Sequence, residues 1–284
     1  MTVIKVINRT IISGQAINEK AEAALEEAIP KRDRKFPVVE MFGPTIQGEG
    51  AMLGEQTMFI RFGGCDFRCT LCDSLHAVLP EEVKKNSIRM TTSEIITALM
   101  ASERVATWVT LSGGNPVMHD LDNLVDNLHD VGRKIAVETQ GSLWADWLLK
   151  CDHVTVSPKG PGMGEEFSAE DFQVYVDKLS RKALGFPVTD WSVKVVIMNQ
   201  VDIEFAKGLL GRWPQIRQRF YLSLGNPFPP QINDGKGLSA KEIRPLLLDH
   251  YTQLVEDILQ EPFLHDCKVT PQLHVLFWGN ARGV

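Results

Sequence analysis

Between residues 57 and 224 the chain alternates short β-rich runs with stretches of helical spacing, and no other feature restricts its fold as much. Residues 57–62, 108–112, 134–138, 153–157, 193–198 and 220–224 are strand-length runs dominated by Val, Ile, Leu, Phe and Thr. Residues 92–100, 121–129, 172–179 and 203–210 have helical spacing, as does the long stretch 240–259, and a short helix is expected over 143–149. Thr92 or Ser93 is the expected N-cap of the first of these helices. Near-continuous apolar strands are buried on both faces, which calls for a parallel sheet covered by helices. About six such strands fall short of the eight in a complete barrel. The expected architecture is therefore α/β: a partial, open TIM-like barrel of about six parallel strands with outer helices. Residues 1–36, with an amphipathic helix over 18–29, read as an N-terminal extension, and 37–284 as the main domain.

A barrel of parallel strands works at the carboxyl ends of those strands, and the unusual polar residues of this chain fall there. The first run leads into a cysteine loop, and the second ends at Ser112-Gly113-Gly114-Asn115-Pro116. Others end at Glu138-Thr139-Gln140-Gly141, at Ser157-Pro158-Lys159 and at Ser223-Leu224-Gly225-Asn226-Pro227. Any one of these can be an ordinary turn, N-cap or strand terminator. Five on one rim point to a site.

The cysteine loop, Cys65-Asp66-Phe67-Arg68-Cys69-Thr70-Leu71-Cys72, offers three thiolates, whereas a cube-shaped iron–sulfur cluster usually takes four. Three would leave one iron open to a small molecule. The same residues followed by His76 also spell a Cys3His zinc site. Cys151 and Cys267 are remote. A disulfide framework fits poorly with five cysteines and no secretory signal, and free thiols suit a reducing cytoplasm. A net charge of −6 disfavours a nucleic-acid partner, and the basic patch at 31–35 reads as a solvated linker. No apolar run approaches the ~18 residues of a membrane span.

Cys-x3-Cys-x2-Cys, followed at the next strand end by Gly113-Gly114-Asn115-Pro116, resembles the radical S-adenosylmethionine superfamily. The resemblance implies a [4Fe–4S] cluster on Cys65, Cys69 and Cys72, with S-adenosylmethionine chelated at the open iron. One electron would then cleave the sulfonium and release a 5′-deoxyadenosyl radical. Over most of 37–284 the chain is more narrowly similar to the 7-carboxy-7-deazaguanine synthases. The likeness lies in Gln47-Gly48-Glu49-Gly50, the approach 59–65, Cys72-Asp73-Ser74, 137–141, Ser157-Pro158-Lys159 and the closing 278–284. It implies ring contraction of 6-carboxy-5,6,7,8-tetrahydropterin to 7-carboxy-7-deazaguanine with loss of ammonia, S-adenosylmethionine being regenerated and Mg²⁺ assisting. A glycyl-radical activase is the other reading within the superfamily, and it leaves Gln47 to Gly50 unexplained.

Carried over residue by residue, the resemblance assigns Ile46, Gln47, Gly48, Glu49, Arg61, Ser112 and the Val284 carboxylate to the substrate. It assigns Ser74 to Mg²⁺, a hard cation served by its hydroxyl. Gly114, Asn115, Glu138, Ser157, Pro158, Lys159, Ser223, Leu224, Gly225 and Asn226 go to the cofactor, with Glu138 able to serve the pterin instead. Asn115 stands where many members carry Glu, keeping a carbonyl for the amino group. Ser74 stands where Thr is expected, and His76 is expected to be a bystander. The resemblance also implies a flavodoxin-type or similar electron donor and a homodimer.

Overall fold

The computed structural model describes residues 34–102, 104, 106–180, 189–229 and 238–284. The helix expected over 18–29 lies outside the described residues. Among them, nine strands form one sheet: β1 (Lys35–Ile46), β2 (Gln56–Phe62), β3 (Ile88–Thr91), β4 (Trp108–Gly113), β5 (Lys134–Thr139), β6 (His153–Val156), β7 (Asp190–Ile197), β8 (Phe220–Leu224) and β9 (Lys268–Thr270). The spatial order is β3-β1-β2-β4-β5-β6-β7-β8-β9. Strands β2 and β4 to β9 run parallel, whereas β1 pairs antiparallel with both β2 and β3.

The expected count of about six parallel strands is therefore corrected to seven, beside an antiparallel edge. Strand β9 escapes sequence reading because it has only three residues, and β3 because Ile88 and Arg89 are exposed. Lys35 and Phe36 belong to β1, and Phe36 is buried edge-on to Phe62 with ring centroids 6.2 Å apart, so the 36/37 boundary falls inside a strand. Arg34 bonds Asp120 at 3.0 Å.

The strand register separates two faces. Ile60, Leu111, Val137, Val154, Val193 and Leu222 are fully buried under the helices, each apolar side chain contributing about 1.5–3 kcal/mol. The covering helices, Thr92–Met100, Asp122–Asp130, Ala169–Ser180, Gln200–Arg212 and Ala240–Leu259, turn residues such as Ile95, Leu124, Phe172, Ile203 and Leu247 inward. The first is capped by Thr91, one residue earlier than expected, in a reciprocal capping box with Glu94. The 143–149 stretch forms a 3₁₀ turn over Asp146–Lys150. No helix among the described residues is long and apolar enough to cross a membrane.

The opposite face is polar. Register pairs Arg61 with Ser112, Glu138 with Thr155, and Thr155 with Ser192, and Lys194 follows two residues along β7. In a flat sheet the five steps from β1 to β7 would span about 24 Å, at ~4.8 Å per strand. Yet Lys194 of β7 forms an ion pair with Glu49, just past the end of β1. The sheet must curl, and its polar face becomes the inside of the curl.

Candidate active site

At the carboxyl ends of the strands the curl encloses a cavity of about 280 Å³. The cysteine loop forms one wall. It is fastened to β4 by Gly114 N–H donating to Phe62 O (3.1 Å) and Asn115 N–H to Gly64 O (2.7 Å). A Cβ on Gly114 would lie 2.0 Å from Gly64 O, so the paired glycines are required by backbone against backbone. At its far end the loop is held by Thr70 N–H donating to Met163 O at 3.0 Å.

Cys65, Cys69 and Cys72 are free, half-buried thiols lining this wall. Burial pushes Cys69 up to about 11 and, aided by Asp73, Cys72 up to about 12. Bound iron would reverse that, since metal ligation deprotonates a thiol. Among the described residues no three His, Cys, Asp or Glu side chains are grouped so as to hold one metal ion. His76 does not join the cysteines. It is buried in the short helix Leu75–Val78, lines the cavity, and sets Nε2 3.5 Å from Glu40 Oε1. Three thiols on one wall, with His76 turned to Glu40 instead, match the donor set of a cluster better than a Cys3His zinc site.

The facing wall is built on the segment after β1. Gln47 N–H donates to Glu55 O and Gly54 N–H to Gln47 O, both at 2.8 Å, closing the loop on itself. Gln47 Oε1 accepts from Gly48 N–H at 2.7 Å, and Gly48 O accepts from Leu273 N–H at 3.0 Å. Glu49 is gripped by Lys194 and Gln272, while Lys194 also reaches Glu138 Oε1 at 3.2 Å. Burial would raise the Glu49 pKa, but Lys194 and His274 outweigh it and hold the carboxyl at about 2. Burial likewise opposes the Lys194 charge, yet two carboxylates push its pKa up. Lys159 donates to Ser157 Oγ at 2.7 Å and to Ser157 O at 3.0 Å, and burial together with the Lys194 charge pushes its pKa down.

Between the two walls lies Arg61. Its Nε donates to Glu40 Oε2 at 3.1 Å and its Nη1 to Ser74 Oγ at 2.9 Å, while Ser74 Oγ donates to Asp73 Oδ1 at 2.9 Å. Burial would raise Glu40, but His76, Arg61 and Arg282 carry it below the usual carboxylate range. Ser112 Oγ and Gln272 Oε1 are buried on the cavity wall with no hydrogen-bond partner among the described residues, so the walls keep polar capacity for a ligand.

Most of the residues expected from sequence meet here. Ile46, Gln47, Gly48, Glu49, Arg61 and Ser74 line the cavity, as do Ser112, Gly114 and Glu138. So do Ser157, Lys159, Asn226 and Val284. Asn115, Pro158, Ser223, Leu224 and Gly225 do not. Asn115 is fully buried, and its carbonyl already accepts from Thr139 Oγ1 (3.0 Å) and Val117 N–H (3.3 Å), so it is not the open acceptor expected. Ser223 and Leu224 are buried within β8, and Gly225 backs onto Met198, where a Cβ would meet Sδ at 2.4 Å. Asn226 is held by its Nδ2, which donates to Asn280 Oδ1 at 2.9 Å.

Sequence reading assigned no role to Lys194, Gln272 or Glu40 and named Gln140 only within a polar strand end, yet all four line the cavity. Lys194 did leave a signal, a lone cation inside the apolar run of β7. Gln272 and Glu40 left none, because Glu40 meets Arg61 only through the β1–β2 pairing and Gln272 meets Glu49 only in the folded chain.

No protein-family model matches the chain. A 7-carboxy-7-deazaguanine synthase of Bacillus cereus is 40% identical over 253 residues, covering 88% of this chain and 99% of the relative. One from Bacillus subtilis is 39% identical over 252 residues, covering 88% of this chain and 98% of that one. The crystal structure of QueE from Escherichia coli aligns with a TM-score of 0.58 and 21% identity over 84% of this chain and 94% of that chain, a likeness of fold. Relatives matched at this identity along almost their whole length leave one assignment: the chain belongs to the 7-carboxy-7-deazaguanine synthase family.

Proposed function

We propose that this chain converts 6-carboxy-5,6,7,8-tetrahydropterin to 7-carboxy-7-deazaguanine with loss of ammonia, in the route to queuosine and related deazapurines. One observation carries the reading. The cysteine loop faces, across a single cavity, the Gln47-Gly48-Glu49 segment with its buried Lys194–Glu49–Glu138 charge cluster. The curled sheet is read as the partial barrel of a radical S-adenosylmethionine core, with the chain from β1 onward as the catalytic domain.

Cys65, Cys69 and Cys72 would hold a [4Fe–4S] cluster. Together with S-adenosylmethionine the bound cluster supplies one-electron radical chemistry. The chain's own residues bind and orient. Gly114 leaves room for close backbone approach, and Ser157 with Lys159 forms the cofactor's polar flank. Gln47, Gly48 and Glu49 line the wall that would take the pterin edge, and Ser112 offers its unpartnered hydroxyl. Glu138, held by Lys194, would serve either the cofactor or the pterin. Arg61 offers a planar guanidinium to the substrate carboxylate, aligned by Glu40. In exchange for the hydrogen bond it accepts from Arg61, Ser74 would supply its hydroxyl oxygen to Mg²⁺, an ion that takes few protein ligands and keeps water and substrate in the rest of its shell. Ile46 and Val284 close the substrate side. A flavodoxin-type electron donor and a homodimer accompany this reading.

The test is anaerobic reconstitution with iron and sulfide, followed by incubation with the carboxypterin, S-adenosylmethionine and a low-potential reductant. Product is expected only with all components present, and S-adenosylmethionine should be recovered. Turnover that survives Cys69→Ala would overturn the proposal, as would stoichiometric consumption of S-adenosylmethionine without pterin conversion.

A further inference from the structure

Gln140 has no part in the roles above, yet its side chain hydrogen-bonds the cysteine loop. It lies at the carboxyl end of β5, buried on the cavity wall. Its Nε2 is 2.6 Å from Asp66 Oδ1 and 3.6 Å from Cys65 Sγ. One amide nitrogen carries two hydrogens, so it can serve both acceptors at once. The orientation of the amide is decided by Asp66: a flipped side chain would set its carbonyl oxygen against a carboxylate. The second N–H is thereby directed to the sulfur.

Asp66 is itself secured. Asn115 Nδ2 donates to the same Oδ1 at 2.9 Å, and the Asn115 carbonyl is pinned by Thr139 and Val117. A Glu at position 115 would bring a second carboxylate against Asp66. The Asn at 115 and the Asp at 66 are thus matched. The matched pair ends on the sulfur of Cys65, which also accepts Phe67 N–H at 3.4 Å.

We propose that Gln140, aligned by Asp66 and Asn115, donates a hydrogen bond to the Cys65 thiolate of the bound cluster and thereby raises the cluster's reduction potential. This rests on the functional reading above. Reduction adds one electron and increases the negative charge on the cluster and its sulfurs. An N–H aimed at a sulfur stabilises the reduced state more than the oxidised one, and hydrogen bonds to sulfur are among the levers that set such potentials. A Gln that only filled space would leave the potential where it was.

The experiment uses the reconstituted full chain. Iron and sulfide content and carboxypterin turnover of the unaltered protein test the functional reading by themselves; a chain that takes up no cluster overturns that reading and this inference together. In the loaded, unaltered protein, pulsed EPR of the reduced cluster is compared with and without ¹⁵N-glutamine labelling. A ¹⁵N hyperfine coupling from the labelled side chain is expected, and identical spectra would overturn the inference while leaving the function intact. Gln140→Leu removes the donor, and its cluster midpoint potential, followed by EPR-monitored titration, should shift negative. An unchanged potential in loaded Gln140→Leu protein would also refute it. If that variant fails to load, the labelling result decides.

Discussion

Lys194 Nζ lies 3.2 Å from Glu138 Oε1 and also ion-pairs Glu49, so one buried cation ties β5 and β7 to the segment that follows β1. The lysine thus joins two carboxylates on the inner face of the curl. Each group would be costly alone at this depth. Together they leave one net negative charge, with Gln272 completing Glu49.

Removing the cation should therefore cost more than one contact. Lys194→Met leaves the nearly buried Glu49 and the half-buried Glu138 without their partner, and a loss of about 3 kcal/mol in unfolding free energy is expected. Denaturant unfolding of the variant measures it. Adding Glu49→Gln to Lys194→Met should recover part of the loss, because the two residues act as one unit. Simple additivity would refute the clamp.

The depressed pKa of Glu49 gives stability a definite pH dependence. The folded value is about 2, below the ordinary value of 4.5, so the charged form is favoured by folding. Its contribution is fully present above pH 4.5 and is lost as pH falls towards 2. Lys194 is shifted upward, so its contribution is complete below 10.5 and declines only at more alkaline pH. Thermal midpoints taken between pH 2 and 5 should fall less steeply for Glu49→Gln than for the unaltered chain.

Arg61→Lys keeps the charge and removes the fork that spans Glu40 and Ser74. If the guanidinium binds the substrate carboxylate, about 1.5–3 kcal/mol of charge-assisted hydrogen bonding is lost. The KM for the carboxypterin should then rise about tenfold or more, with kcat less affected. Steady-state kinetics at saturating S-adenosylmethionine would show it.

The glycines separate tight packing from mere presence. Gly114→Ala places a Cβ 2.0 Å from Gly64 O, and a cost of about 1–3 kcal/mol with weakened S-adenosylmethionine binding is expected. Gly208 sits in the helix Gln200–Arg212 with nothing near its added Cβ, so Gly208→Ala should stabilise by up to about 1 kcal/mol and leave binding alone. Calorimetric titration and thermal melts distinguish the two.

Much of the cavity's first wall was legible in the chain itself. Cys65, Cys69 and Cys72 carry their spacing with them, and Gly113-Gly114 marks a turn on any reading. The parallel strands could be read because burial on both sides of a strand leaves an apolar run. Strands β3 and β9 could not, since a short edge strand buries little and is held by ladder hydrogen bonds whose partner lies far along the chain.

What the sequence alone determined was local: the alternation of elements, the cysteine loop, and the polar strand ends that mark one rim. Only the tertiary structure decided which charges meet. Glu40 faces His76, Gln272 faces Glu49, and Lys194 reaches across to two carboxylates more than fifty positions away. It also moved Asn115 from the expected cofactor contact to a buried support for Asp66. The physical reason is the curl of the sheet. Side-chain direction along a strand follows the local period of two, whereas the distance between strand ends depends on the curvature of the whole sheet, which no local pattern records.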